Sequence, residues 1–128
     1  MIILDTCTLL WLAGDQKKLS KEAIKIIEKN ADSLFVSSIT AFEVAIKYYS
    51  KKIKLEIPPL EWFNRTLETH GIKEILVTSS IAIISTQLPF LHRDPCDRII
   101  IATAQTNGFK ILTPDKLIFQ YKGIEVIW

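Results

Sequence analysis

The sequence predicts an α/β protein of three layers, in which helices cover both faces of a parallel sheet. Short continuous apolar runs alternate with longer segments of helical spacing along the chain of 128 residues. Apolar runs without polar alternation are typical of strands that are buried on both faces. Five short segments are predicted as strands, at residues 2–4, 34–36, 75–77, 110–113 and 124–127, and the first three are wholly apolar. We therefore expect a five-stranded parallel sheet, the usual product of alternating strands and helices.

The amino-terminal half of the chain contains three predicted helices. The first opens at Thr6, directly after the first apolar run and Asp5. The second is capped by Ser20, and its apolar residues keep helical spacing as far as Ala31. The third opens at Thr40, the first residue of a Thr-Ala-Phe-Glu segment that matches a capping box. We expect the third helix to turn four side chains toward the core: Phe42, Ala45, Ile46 and Tyr49.

The carboxy-terminal half contains three more predicted helices. The fourth spans residues 60–70, between a Pro-Pro break and a glycine. The fifth follows a pair of hydroxyl residues, Ser79 and Ser80, either of which is able to cap it. The sixth begins after Asp94-Pro95, an N-cap followed by proline at the first helical position, and it ends at about residue 107. A short helical turn from Lys116 leads to the last strand, so helical segments separate all the predicted strands, as a parallel sheet requires.

Composition limits the class of protein. The chain is 48% hydrophobic and 23% charged, which is typical of a globular protein, and its length predicts one domain over residues 1–128. A net charge of +2 is too small to indicate nucleic-acid binding by itself. No stretch matches a membrane span or a secretory signal, and the two cysteines form no C-x-x-C pair. We expect a cytoplasmic protein with no membrane partner.

Four carboxylates fall where predicted strands end or predicted helices begin. Asp5 follows the first apolar run, and Asp115 follows the fourth after a proline. Glu43 and Asp97 lie in the first turns of predicted helices. In an open α/β sheet these positions lie at the carboxyl edge, where ligands bind at the point at which the strand order reverses. If the first strand is central, Asp5 and Asp115 face each other across that crevice.

Each of these acids also has a purely structural explanation. Asp5 and Asp115 are able to cap a helix or a turn, and Glu43 is able to complete the capping box. However, clustered carboxylates repel one another, which is costly unless a cation lies among them. Oxygen ligands suit Mg²⁺ or Mn²⁺, and such a site is able to activate water against a phosphodiester. Capping and metal binding are thus the two alternatives at each acid.

Four segments of the chain carry a resemblance to a known family: Leu-Asp-Thr at 4–6, the segment at 37–47, His-Arg-Asp-Pro-Cys-Asp-Arg at 92–98 and Leu-Thr-Pro-Asp at 112–115. In this order they resemble the motifs of PIN-domain nucleases, and more closely those of VapC-type toxins from toxin–antitoxin pairs. Two positions depart from the pattern, because such relatives often carry histidine in place of Cys7 and an aromatic residue in place of Cys96. These departures concern substrate preference rather than the acids.

The resemblance implies a three-layer PIN-like fold and a metal-dependent endoribonuclease that hydrolyses RNA with Mg²⁺ or Mn²⁺. It makes four residues the catalytic and metal-binding quartet: Asp5, Glu43, Asp97 and Asp115. Asp94 would be an accessory metal ligand, and Thr6 and Thr113 would orient water or phosphate of the substrate. The implied partners are the RNA substrate, a small antitoxin protein and a second copy of the chain in a homodimer.

Two arginines flank the acids of the 92–98 segment. Arg93 and Arg98 are able to hold RNA phosphates, because guanidinium matches phosphate with paired hydrogen bonds. The alternative is local salt bridging to Asp94 and Asp97. We expect the antitoxin to lay an apolar or basic segment across the groove that holds both arginines. His92 is the histidine nearest the site, and we do not expect it to act as the general base.

Two other functions are compatible with parts of the sequence. A catalytically inactive PIN module would bind RNA or protein as a scaffold, although the intact acidic quartet argues against it. An aspartyl phosphotransferase or phosphatase would use Asp5 at the end of the first strand. Those enzymes usually carry a second aspartate two residues further on, where this chain has Cys7. The nuclease is the reading that uses all four acids.

Overall fold

The computed structural model describes residues 1–128 and contains five strands, six α-helices and two short 3-10 turns. The strands are β1 (Ile2–Leu4), β2 (Leu34–Ser37), β3 (Lys73–Ile75), β4 (Lys110–Leu112) and β5 (Val126–Ile127). The helices are α1 (Thr6–Ala13), α2 (Lys21–Lys29), α3 (Ser38–Tyr49), α4 (Pro59–His70), α5 (Ser79–Gln87) and α6 (Pro95–Asn107). The predicted alternation of strands and helices is confirmed.

All five strands are parallel and lie in the order β3-β2-β1-β4-β5. The central strand is β1, in which Ile3 pairs with Phe35 of β2 on one side and with Ile111 of β4 on the other. The chain adds β2 and β3 on the first side and then returns to add β4 and β5. The strand order therefore reverses at β1, and its carboxyl end borders the crevice where ligands bind in such sheets.

Helices pack on both faces of the sheet, which confirms the predicted three layers. Successive residues of a strand point to opposite faces. Leu4 accordingly belongs to a core cluster with side chains of α1, α2 and α4, including Leu9 and Phe63. Ile3 belongs to a second cluster that includes Ile100 of α6. All three tryptophans pack against the first cluster: Trp11, Trp62 and Trp128.

Two predicted strands differ by two residues from those in the structure, and the second and fourth differ by one. The third strand spans 73–75 rather than 75–77, and the last spans 126–127 rather than 124–127. Both are edge strands, so each pairs on one side alone. The Val77 N–H donates to the Ser38 hydroxyl at 3.0 Å and so does not extend the ladder of β3. Apolarity is a weak guide to an edge strand, because half of its surroundings is solvent.

Two helix starts also differ from the prediction. The cap of α3 is Ser37, whose hydroxyl accepts the Ile39 N–H at 3.1 Å, so Thr40 lies inside the helix and the predicted capping box is wrong. The cap of α5 is Thr78 rather than Ser79 or Ser80. Neighbouring hydroxyl residues cap about equally well, and tertiary packing selects among them. The earlier start of α3 moves Glu43 into its second turn.

The outer face of α3 carries apolar side chains that were predicted to point inward. Phe42, Ile46 and Tyr49 are 56%, 48% and 73% exposed, whereas the buried side chains of this helix are Thr40 and Val44. The inward prediction is therefore wrong for these three residues. Their spacing of four and then three positions puts them on one side of the helix. An apolar stripe on α3 thus faces away from the core.

Candidate active site

Four acids from four different elements meet at the carboxyl edge of the sheet. Asp5 directly follows β1, and Asp115 lies three residues beyond the end of β4. Glu43 comes from α3, and Asp97 lies in the first turn of α6. The charges of Asp5 and Glu43 raise the pKa of Asp97, so these three acids lie near one another. One histidine contacts both Asp97 and Asp115. The alternation of elements explains this convergence, since strand ends and helix starts share one edge of a parallel sheet.

Asp5 is both a helix cap and the most enclosed of the acids. Its side chain accepts the Thr8 N–H at 3.0 Å, which caps α1, and the residue is 4% exposed. The other carboxylate oxygen accepts the Thr113 hydroxyl at 2.5 Å from across the sheet edge. The Thr8 hydroxyl lies 2.5 Å from the first oxygen and 3.1 Å from the Leu112 carbonyl. Capping and membership of the cluster therefore coincide at Asp5.

Thr8 was not identified from the sequence. Thr6 and Thr113, which were expected to orient water or phosphate, each contact a carboxylate. Thr6 donates to Glu43 at 2.6 Å, and Thr113 donates to Asp5. All three threonines are buried. Their hydroxyl groups therefore orient carboxylates in this state. The spacing of Thr8 from Asp5, three residues into a helix, is the capping signal that could have identified it.

The electrostatics of the site are those of several buried carboxylates. Burial, and after it the neighbouring charges of Asp94, Glu43 and Asp5, together raise the pKa of Asp97 to about 8. Burial also raises the pKa of Glu43, which a hydrogen bond from Thr6 partly opposes. No lysine or arginine forms an ion pair with any of these acids. An oxygen-rich cluster without a paired cation fits a divalent metal ion.

A histidine side chain bridges two of the acids. The His92 Nε2 atom lies 2.7 Å from Asp115 Oδ2 and 3.1 Å from Asp97 Oδ2. The other ring nitrogen, Nδ1, accepts the backbone N–H of Asp94 at 3.1 Å. His92 is buried. These contacts were not foreseen from the sequence, although the spacing of two residues between His92 and Asp94 permits a local bond of this kind.

The two arginines near the site occupy different environments. Arg98 is buried and donates to three backbone carbonyls, those of Leu88, Pro89 and His92, at 2.9 to 3.2 Å. It forms no salt bridge with Asp94 or Asp97, so the local ion pairs considered above are absent. Arg93 is exposed. The structure thus uses Arg98 to hold the segment before α6 and leaves Arg93 at the surface.

Both cysteines border the acids. The Cys7 sulfur lies 3.4 Å from an oxygen of Asp5, and burial raises its pKa well above the usual range. Cys96 lies close to Glu43 and Asp94, with potential ligand atoms of all three within 4.8 Å of one another. Burial and these carboxylates raise the pKa of Cys96 to about 12. Both thiols are protonated at neutral pH, so neither is an activated nucleophile.

The arrangement defines a class of protein. A buried acidic cluster lies at the carboxyl edge of a five-stranded parallel sheet, and a sequence profile of the PIN domain matches residues 2–123. The chain belongs to the PIN-domain family. It is similar to Ribonuclease VapC22 of Mycobacterium tuberculosis, with 32% identity over 122 residues that cover 94% of this chain and 92% of the relative.

Solved structures with a similar fold come from toxin–antitoxin systems. The chain matches a structure of VapBC2 from Rickettsia felis bound to a promoter DNA fragment, with a TM-score of 0.74, 15% identity and coverage of 99% of this chain and 98% of the other. It also matches a toxin–antitoxin complex from Klebsiella pneumoniae, with a TM-score of 0.68, 24% identity and coverage of 100% and 97%. These likenesses confirm the predicted fold. None of the helices has the length and apolarity that a membrane span requires.

Proposed function

We propose that this chain is a Mg²⁺- or Mn²⁺-dependent endoribonuclease and the toxin of a toxin–antitoxin pair. The observation that carries the proposal is the convergence of Asp5, Glu43, Asp97 and Asp115, with the pKa of Asp97 raised to about 8. When burial and neighbouring negative charges raise the pKa of a carboxyl group, a cation beside it stabilises the ionised form. The similarity to Ribonuclease VapC22 supports RNA as the substrate class.

The residues that would hold the metal are Asp5, Glu43, Asp97 and Asp115, with Asp94 as an accessory ligand. The chemistry that a divalent ion supplies there is activation of water and stabilisation of the leaving oxygen of a phosphodiester. Thr8 and Thr113 orient Asp5, and Thr6 orients Glu43. Arg93, which is exposed, is placed to bind an RNA phosphate, whereas Arg98 acts through the segment that it holds.

Mapping the ends of cleaved RNA tests the reaction. Attack by water in line with the 3′ oxygen leaves a 5′-phosphate and a 3′-hydroxyl, and we expect these ends in Mg²⁺ or Mn²⁺ and no cleavage in EDTA. Glu43→Gln should abolish cleavage, and Glu28→Gln on the exposed face of α2 is the matched control. Cyclic phosphates at the ends, or equal cleavage in EDTA, would overturn the mechanism. A protein that binds RNA without cutting it would favour the scaffold function.

An antitoxin is proposed as the protein partner. A cavity of about 500 Å³ lies between α5 and α6, and Phe90, Arg93 and Arg98 are among the side chains that line it. We expected the antitoxin segment to lie in this groove, and the solved toxin–antitoxin complexes of similar fold support such a partner. Co-expression with the product of a small neighbouring gene should suppress the nuclease. Failure of every neighbouring gene product to do so would contradict the pairing.

A homodimer is proposed from the apolar stripe on α3. Phe42, Ile46 and Tyr49 expose apolar surface on one side of this helix, and such a surface usually marks an interaction site. A second copy of the chain offers the same stripe, so the contact is able to close as a symmetric pair. The oligomeric state in solution tests this part of the proposal.

A further inference from the structure

The hydrogen bonds of His92 define which ring nitrogen carries the proton. A backbone N–H is a donor only, so the 3.1 Å contact from the Asp94 N–H requires an unprotonated Nδ1. The proton of the neutral ring is then on Nε2. That atom lies 2.7 Å from Asp115 Oδ2 and 3.1 Å from Asp97 Oδ2, so its single N–H is shared between the two carboxylates. One local bond thus fixes the ring as a donor toward the acids.

Two buried side chains hold the segment that carries this ring. Arg98 donates to the carbonyls of Leu88, Pro89 and His92. The Tyr121 hydroxyl accepts the His92 N–H at 2.9 Å and donates to the Pro89 carbonyl at 2.8 Å. Tyr121 follows the second 3-10 turn, so the segment is held from two separate parts of the chain. These hydrogen bonds restrict movement of the His92 ring away from the acids.

We infer that His92 is a positioning residue of the metal site, which orients the carboxylates of Asp97 and Asp115 by donating a hydrogen bond from Nε2. The inference rests on the proposed function. Carboxylates that bind metal usually accept hydrogen bonds from a surrounding group, and loss of that group weakens metal binding by about 10- to 100-fold. His92 fits this role because it reaches acids from two different elements, α6 and the segment after β4. It joins them into one unit.

Two other roles for His92 predict different chemistry. A metal ligand would have to lose the Nε2 proton and turn its lone pair toward the ion. An ion-pair partner would carry protons on both nitrogens, which the Asp94 N–H contact opposes. A positioning residue keeps one proton, on Nε2, with and without metal. The three roles therefore differ in a property of the ring that is measurable without RNA.

Nuclear magnetic resonance of the ring nitrogens tests this directly. A long-range ¹H–¹⁵N correlation spectrum distinguishes protonated from unprotonated ring nitrogens, and the chain contains two histidines, so His70→Asn assigns the signals. We expect an unprotonated Nδ1 and a protonated Nε2 for His92, unchanged after addition of Mg²⁺. Loss of the Nε2 proton with Mg²⁺, or protonation of both nitrogens at neutral pH, would overturn the inference.

Two amide substitutions of His92 test whether a hydrogen-bond donor at the position of Nε2 is required. The amide nitrogen of glutamine stands as many bonds from the backbone as Nε2, whereas that of asparagine corresponds to Nδ1. His92→Gln should therefore keep Mn²⁺ affinity close to that of the parent, and His92→Asn should weaken it by about 10- to 100-fold. Titration calorimetry of the RNA-free protein measures both. His70→Asn, at the end of α4, is the matched control.

The outcomes separate this inference from the proposed function. Equal Mn²⁺ affinity in the parent and His92→Asn overturns the positioning role while leaving the nuclease intact. A weakened His92→Gln that behaves like His92→Asn also overturns it, because a donor at the correct distance would then have no effect. A parent that does not bind Mn²⁺ or Mg²⁺ at all overturns the proposed function and the inference together.

Discussion

At Asp5 a single carboxylate caps a helix and also belongs to the acidic cluster at the edge of the sheet. One oxygen caps α1 through the Thr8 N–H, and the other accepts the Thr113 hydroxyl at the edge of the sheet. Asparagine caps a helix about as well as aspartate, but it carries no charge. Asp5→Asn therefore separates the capping role from the electrostatic one.

We expect Asp5→Asn to melt at the parent temperature or higher without metal, because the change removes one charge from a repulsive cluster. Metal should stabilise it less than the parent, for which a concentration of 100 times the dissociation constant contributes about 2.7 kcal/mol. RNA cleavage should fall by orders of magnitude. Melting curves with and without Mn²⁺ and one cleavage assay measure this, with Asp15→Asn, another cap, as the control. A variant that melts several degrees lower yet retains cleavage would show that Asp5 is only a cap.

Asp97 should make the stability of the metal-free protein depend on pH. Its pKa in the folded state is raised to about 8, from an ordinary value of 3.8, so the folded state holds this proton more tightly than the unfolded state does. The resulting stabilisation is complete below about pH 4 and is lost as the pH rises toward about 8. Denaturation midpoints in EDTA at pH 5 and pH 8 should therefore show a less stable protein at the higher pH.

Asp97→Asn should flatten that dependence, because asparagine does not titrate. Part of the slope should persist, since the pKa of Glu43 is also raised in the folded state. Asp32→Asn, at an exposed position, is the control and should keep the parent slope. An Asp97→Asn protein with the full parent slope would place the titrating group elsewhere.

At the scale of elements, the segment between α5 and α6 depends on contacts made by distant side chains. Tyr121 binds it through both functions of its hydroxyl group. Tyr121→Phe leaves the buried N–H of His92 without a partner, which should lower the free energy of unfolding by about 1–3 kcal/mol. Chemical denaturation measures this, and Tyr48→Phe, on α3 but outside the apolar stripe, is the control. Equal stability of both variants would mean that the segment is held without Tyr121.

The elements that position the acids were predictable because their signals are local. The apolar run at 2–4 predicts that β1 ends directly before Asp5. The Asp94-Pro95 pair predicts the start of α6, which carries Asp97 in its first turn. The start of α3 was not predictable to that precision, because Ser37, Ser38 and Thr40 are all capable caps and packing selected the first. The exposed stripe on α3 was missed for a related reason. Periodicity shows that apolar residues share a side of a helix, but it does not show whether the core or a partner covers that side.

The contacts of His92, Arg98 and Tyr121 could not be predicted, because they join positions up to 32 residues apart through loop backbone. Sequence patterns predict strands and helices, whereas residue types do not indicate which backbone carbonyls of a loop accept hydrogen bonds. Local pairing of Arg98 with Asp94 or Asp97 was one of the two alternatives that the sequence left open. Carbonyl groups satisfied the guanidinium instead, so none of the acids forms an ion pair with a lysine or an arginine.

For the whole molecule, the sheet places the acidic cluster at one edge, whereas the apolar stripe runs along α3, the helix that also supplies Glu43. A partner that covers this stripe would therefore lie against the helix that carries one of the four acids. The proposed cleavage and the proposed assembly would in this way be linked through a single element. Substitutions on the outer side of α3 should change the oligomeric state first, and the metal site only through movement of the helix.

Ile46→Glu tests the assembly, because it places a charge in the middle of the stripe between Phe42 and Tyr49. We expect light scattering at micromolar concentration to give the mass of a dimer for the parent and of a monomer for the variant. Leu60→Glu, at an exposed apolar position on α4, is the matched control and should remain dimeric. A monomeric parent would contradict the homodimer, and a dimeric Ile46→Glu would move the interface to another surface. Unchanged Mn²⁺ affinity in the monomeric variant would show that each chain forms its metal site alone, as expected when all the proposed ligands come from one chain.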